Sequence, residues 1–194
     1  DGSIEGEARI TGDAAAPQGR VRVAATGLRL REGQAAALPA ANVTVTATLN
    51  GPRAQLDARA TLGAASVTVV GGVPLGAGPL ELRANGRASL AMLDPILTAE
   101  GRSLRGDVAL DGTIGGTLAA PVLGGTLRVS RGEARDAGSG LLIRDINGLV
   151  RGEGARVVVE RLEGKAGNGT IGLTGSATLA PVPELDLRLR ASNA

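Results

Sequence analysis

The strongest constraint in this chain is an alternation of period two across residues 104–130, LRGDVALDGTIGGTLAAPVLGGTLRVS. Leu104, Gly106, Val108, Leu110, Gly112 and Ile114 take every second position, with Arg105, Asp107, Asp111 and Thr113 between them. Successive residues of a strand point to opposite faces, so this spacing predicts one apolar face and one wet face. After Ala120-Pro121, where proline fixes φ and removes a donor, the alternation resumes. Leu123, Gly125, Leu127 and Val129 now stand against Thr126, Arg128 and Ser130. The unit reads as two amphipathic strands joined by an irregular crossing.

The same period recurs along the chain. Ile4, Gly6, Ala8 and Ile10 alternate with Glu5, Glu7, Arg9 and Thr11; a turn at 12–19 leads to Val21, Val23 and Ala25. Parity slips at Gly27, after which Leu28 and Leu30 carry the apolar face, as a bulge requires. Residues 31–41 have no period and read as a loop. Val43, Val45, Ala47 and Leu49 then run into Asn50-Gly51-Pro52, and Leu56, Ala58, Ala60 and Leu62 return. Val67 and Val69 precede a Gly/Pro-rich turn, followed by Leu80, Leu82 and Ala84. Residues 89–99 are the one helical signal, with Ser89 as cap, Leu90, Leu93, Ile96 and Leu97 on one face, and Pro95 limiting the length.

Beyond the central unit, GEARDAG reads as a short strand, and 141–151 as one strand bulged near Arg144 to Asn147 and turned at Gly152-Glu153-Gly154. Val157 and Val159 return, 164–169 turns, and Ile171, Leu173, Gly175, Ala177 and Leu179 form a long strand. Ala180-Pro181 repeats the crossing before Leu185, Leu187 and Leu189. The Ala-Pro steps at 16–17, 120–121 and 180–181 are unevenly spaced, which suggests a repeated unit without a fixed coil.

About a dozen antiparallel strands thus need cover for one apolar face, and one short helix cannot supply it. The sheet either folds into a sandwich filled by its own side chains or curls into a trough. Composition favours the trough. There are 31 glycines and no Phe, Tyr or Trp, so many inward positions pave a wall without filling volume, whereas a dry core needs native packing density. The expected fold is all-β: an elongated, curled antiparallel sheet with a hydrophobic groove. One continuous segment is expected over 1–194, with approximate sub-units 1–99 and 100–194. The expected groove lining is Val43, Val45, Leu49, Leu56, Leu62, Leu80, Leu82, Val108, Leu110, Ile114, Leu123, Leu127, Val129, Val157, Val159, Ile171, Leu173, Leu179, Leu185, Leu187 and Leu189.

The absence of aromatics also argues against nucleic-acid binding by base stacking. Twenty-one basic residues face 19 acidic ones, for a net charge of +2, and the two signs alternate along the same strands. Without His, Cys or Tyr the usual general bases and nucleophile activators are missing, so no enzyme, cofactor or metal is expected. Asp136 and Asp145 can be read as a carboxylate pair, but surface turns explain them better. Asp94, Asp107, Asp111 and Glu133 lack calcium-loop spacing. Arg20, Arg22, Arg188 and Arg190 read as a solvated sheet face. No stretch reaches the 18 apolar residues of a membrane helix. A start at Asp1 and a stop within a strand suggest a piece excised from a longer protein.

The order G-x-h-x-h-x-G…G-x-h…P-x-h-x-G-x-h-x-h in 106–129, with GLLIRDINGLV at 140–150, VVVERLEG at 157–164 and GNGTIGLTG at 167–175, resembles the TamB family. These are translocation and assembly module proteins of the AsmA-like group of bridge-like lipid transfer proteins. The resemblance is strongest over 100–194. It implies a β-taco in the periplasm of a Gram-negative bacterium, in a parent protein anchored in the inner membrane. The groove would carry phospholipid acyl chains towards the outer membrane, next to further β-taco segments of the same protein. A TamA-like outer-membrane barrel would meet a part not present in this chain.

Three readings follow. The first is a lipid-conducting bridge segment supporting outer-membrane biogenesis. The second is a scaffold or chaperone assisting β-barrel or autotransporter assembly by β-augmentation, and the third a surface adhesin. Unpaired edges near residues 4–11 and 183–191 are expected to promote edge-to-edge self-association.

Overall fold

The computed structural model describes residues 2–13, 16–29, 34–178 and 184–193. They form one antiparallel sheet of twelve strands, each paired with its neighbours in chain order. The strands are β1 (Ser3–Thr11), β2 (Gln18–Leu28), β3 (Ala41–Asn50), β4 (Arg53–Leu62), β5 (Ala65–Pro74) and β6 (Glu81–Ser89), then β7 (Arg102–Gly116), β8 (Pro121–Asp136), β9 (Leu141–Gly154), β10 (Arg156–Ala166), β11 (Gly169–Thr178) and β12 (Leu185–Ser192). β1 and β12 do not pair with each other, so the curled sheet stays open. β6 pairs directly with β7, and the halves 1–99 and 100–194 therefore share one sheet.

The proline steps differ from the expectation. Thr117 and Ala120 exchange backbone hydrogen bonds of 3.1 and 3.2 Å, and Ala120 N–H also reaches Thr117 Oγ1. Ala120-Pro121 thus leaves a closed hairpin turn, not an irregular crossing. Pro17, Pro52, Pro74, Pro79 and Pro121 all lie at the same end of the sheet, which forms a proline rim. Leu30, Leu179 and the third Ala-Pro step, at 180–181, lie outside the described residues.

The opposite rim is helical. Residues 34–37 make a 3-10 turn within the expected loop, and 90–100 form 3-10, α and 3-10 turns in succession, with α1 spanning only Asp94–Leu97. Ser89 does not cap it: the residue ends β6 in extended conformation, and its side chain makes no cap hydrogen bond. Pro95 stands in the first turn of α1, where a missing N–H costs least. α1 lies against the start of β7 and against the 34–37 turn, so two connections far apart in sequence meet at this rim. Asp94 Oδ2 is 2.9 Å from Arg105 Nη1.

Bulges occur where the parity slips. The β2–β3 register shifts between Ala25 and Leu28; Gly27 has φ +68° and donates its N–H to Asn42 Oδ1 at 2.9 Å. In β9, Asp145 has φ +53°, within the expected interval. Two further shifts were not expected, at Arg131 in β8, also φ +53°, and between Val159 and Leu162 in β10. Through the first of these, residues 132–136 of GEARDAG join the long strand β8 instead of standing alone, and Ala137-Gly138 enter the turn that follows.

Four glycines share one local geometry. Gly19, Gly71, Gly125 and Gly175 have φ of +145°, +140°, +99° and +149°, and a Cβ on any of them would collide with a backbone carbonyl of the adjacent strand. They fall on β2, β5, β8 and β11, one in every three strands. Glycine kinks are a device by which sheets bend, so we infer that the sheet creases along the line of these four.

Candidate functional site

Residues directly opposite in an antiparallel pair share a face, so the registers trace each row of side chains across the sheet. One row reads Ile4, Ala25, Val43, Ala60, Val67, Gly86, Leu110, Leu127, Val150, Val159, Gly175 and Leu187. The next reads Gly6, Val23, Val45, Ala58, Val69, Ala84, Gly112, Gly125, Gly152, Val157, Ala177 and Leu185. Both cross all twelve strands without a polar side chain. At eleven of the 24 positions in the two rows together this face offers Ala or Gly, which leaves the wall low and the space above it unfilled.

Polar groups on this face gather at the helical rim. Arg102 and Asp136 pair across β7 and β8, with Nε to Oδ2 at 3.5 Å, and Arg102 also binds Glu100 at 2.7 Å. Beside them Leu97, Leu104, Ala134 and Leu141 surround a small apolar hollow under the helical turn. Elsewhere the charged residues stand on the other face: Arg53 with Glu81 at 3.1 Å, Arg151 with Glu160 at 2.7 Å, and Arg131 with Asp107. Arg20, Arg22, Arg188 and Arg190 stand there too.

Away from the helical rim, no described element covers the face. Among the described residues only Ala54, Leu80, Ala84 and Ala166 are buried apolar residues, and no large side chain is fully enclosed. Interior strands hold most of their apolar side chains half-buried, with Val23 and Val67 among those more exposed, while Ile4 is 71% and Leu189 70% exposed on the outermost strands. A compact monomer of 19.2 kDa exposes about 8,400 Å², whereas this chain exposes 12380 Å². The excess is the surface an ordinary core would have removed from water.

Every described member of the expected lining stands in these apolar rows or continues them, and Leu110 and Leu127 meet directly. Leu179 lies outside the described residues. Sequence reasoning missed Ile143, Ile146, Val150 and Leu162, which the bulges carry onto the same face. The signals were present as V-x-G-x-G in 150–154 and L-x-G-x-A in 162–166, each alternating correctly once the slipped residue is skipped.

The titratable groups that shift do so at turns and bulges. Asp136 is lowered by the N–H groups of Ser139 and Gly138, and Asp145 by a hydrogen bond and charge from Lys165, 2.9 Å away. Arg131 is raised by its hydrogen bonds to Asp107. Asp136 and Asp145 therefore hold separate partners and form no carboxylate pair. No family model matches this chain, and neither does any curated protein or solved structure.

Proposed function

We propose that this chain is a stretch of hydrophobic conduit that carries phospholipid acyl chains along its groove. The observation that supports it most is the row of apolar residues running unbroken from Ile4 on β1 to Leu187 on β12, uncovered and open at both edges. Monomeric proteins rarely leave so large an apolar surface in contact with water unless something binds it. Strands of 8 to 16 residues span roughly 27–54 Å at about 3.4 Å each, enough to wrap acyl chains while a headgroup stays at the open side. The resemblance to the TamB family supplies the setting: a bridge across the periplasm of a Gram-negative envelope, supporting outer-membrane biogenesis.

The test is native mass spectrometry of the purified chain for bound lipid. Phospholipid is expected on the parent chain and lost from the L110D/L127D variant, while circular dichroism stays β-rich. Two charges facing each other in the groove cost several kcal/mol where it is dry. Because the charged side chains on this face are confined to its helical rim, phosphatidylethanolamine, phosphatidylglycerol and a neutral diacylglycerol should compete almost equally, with weak salt dependence. Retention of lipid by the double variant would exclude these positions from the conduit.

The open edges of β1 and β12 favour a second reading, a scaffold that pairs with strands of β-barrel clients by β-augmentation. That reading predicts binding of extended peptides with or without lipid, and no effect of L110D/L127D on it.

A further inference from the structure

We propose that copies of this chain join head to tail, β12 of one pairing antiparallel with β1 of the next in a single register. The inference stands on the two edge strands and is independent of what the groove carries. Each residue of an antiparallel strand directs its backbone N–H and C=O to one side only. Gly51 N–H binds the Pro17 carbonyl, so odd residues of β2 serve β3 and even ones serve β1. In β1 it is therefore Ile4, Gly6, Ala8 and Ile10 whose backbone groups face the open side. Thr178 N–H binds the Glu184 carbonyl, which assigns the even residues of β11 and β12 to each other. In β12 the open side belongs to Leu185, Leu187, Leu189 and Ala191.

Twelve strands is an even number, so β12 runs opposite to β1, and a copy shifted along the sheet offers β1 antiparallel to β12. With strand ends level, Leu185 meets Ile10, Leu187 meets Ala8, Leu189 meets Gly6 and Ala191 meets Ile4. Outward backbone groups then meet outward backbone groups, and the apolar face continues across the junction. On the other face the same register sets Arg190 opposite Glu5, Arg188 opposite Glu7 and Asp186 opposite Arg9. All three charged pairs have opposite sign, the favourable case for cross-strand neighbours. Asp186 also relieves an existing conflict, because Arg9 stands opposite Arg20 within its own chain. A two-fold pairing centred on either strand keeps one like pair, Glu7 on Glu7 or Arg188 on Arg188, between two Glu5–Arg9 or two Asp186–Arg190 pairs, whereas the head-to-tail register has no like pair. A head-to-tail contact is heterologous and leaves each added copy a free β1 or β12 for the next, so the product is a series and not a two-fold dimer.

The experiment is sedimentation velocity over a wide concentration range with paired charge reversals. The parent chain should give a concentration-dependent ladder of species. E5R/E7R alone and R188E/R190E alone should each associate roughly tenfold or more weakly, and an equimolar mixture should recover the ladder, since the reversed strands complement each other. The chain has no cysteine, so an E7C chain mixed with an R188C chain reports register directly: positions 7 and 188 form a non-hydrogen-bonded pair, close enough for a disulfide. The expected product under oxidation is the mixed dimer. A parent chain that remains monomeric, a ladder that stops at the dimer, a mixture that fails to recover, or E7C–E7C and R188C–R188C products in place of the mixed one would each overturn the proposal.

Discussion

Single glycines do unequal work here, and the inequality is measurable. Gly125 sits at φ +99° with no room for a Cβ beside the Asp111 carbonyl; Gly51 sits at φ +63° with nothing within 4 Å; Gly6 has an ordinary φ and its nearest atom at 3.9 Å. Alanine at 125 is expected to destabilise by more than about 2 kcal/mol, at 51 by about 1–2 kcal/mol, and at 6 by almost nothing. Chemical denaturation of the three variants checks that order; equal losses would remove the crease from the account. Asp136 provides a second residue-scale test. Its carboxylate accepts from Ser139 and Gly138, so its pKa falls below the ordinary value. Its contribution to stability is then complete above the unfolded-state aspartate value and disappears only as pH falls through the lowered native value. A proton titration followed at the Ser139 and Gly138 amides should show a midpoint below the ordinary aspartate value, and Asp136→Asn should abolish it. The sequence displays every one of these glycines and aspartates but not their φ angles or turn partners, which depend on how strands far apart in the chain come together.

Strands were the legible part of this fold, because the period of two is a local property that each segment carries by itself. Asn50-Gly51, the slip at Gly27 and the bulge near Asp145 could all be read from spacing, and the structure has each of them. What escaped were the places where neighbours decide. The shift at Val159–Leu162 is set by pairing with β9 and β11, so Leu162 looked out of phase although it lines the groove. The 90–100 segment has helical spacing, yet Ser89 is held extended by its pairing with Asp107, and the helix shrinks to one α turn between 3-10 turns. Contacts run almost entirely between adjacent strands, so local stability should follow position in the sheet, as it does in repeat architectures. β7, β8 and β9 are the longest strands, with 15, 16 and 14 residues. Hydrogen exchange is expected to be slowest there and to quicken outward to β1 and β12. Uniform protection across all twelve would show a globally cooperative unit instead.

At the scale of the whole molecule, the described residues form secondary structure without an enclosed interior. Denaturant sensitivity scales with the surface exposed on unfolding, and 12380 Å² is exposed already. The urea m-value is therefore expected to lie below that of a compact domain of 194 residues, and an m-value typical of such a domain would mean that the groove closes in solution. The glycine crease also fixes the direction of the groove. Gly19, Gly71, Gly125 and Gly175 are spaced 52, 54 and 50 residues apart, and each lies one inward-facing row nearer the helical rim than the last. Three such rows amount to roughly 20 Å along the strands, against roughly 43 Å for the nine strand steps between β2 and β11, an inclination of roughly 25°. The crease is a ramp, not a straight gutter. Anything that follows it from one end of the sheet to the other is carried sideways by about half the distance it advances, so the two mouths are offset and the path has a hand.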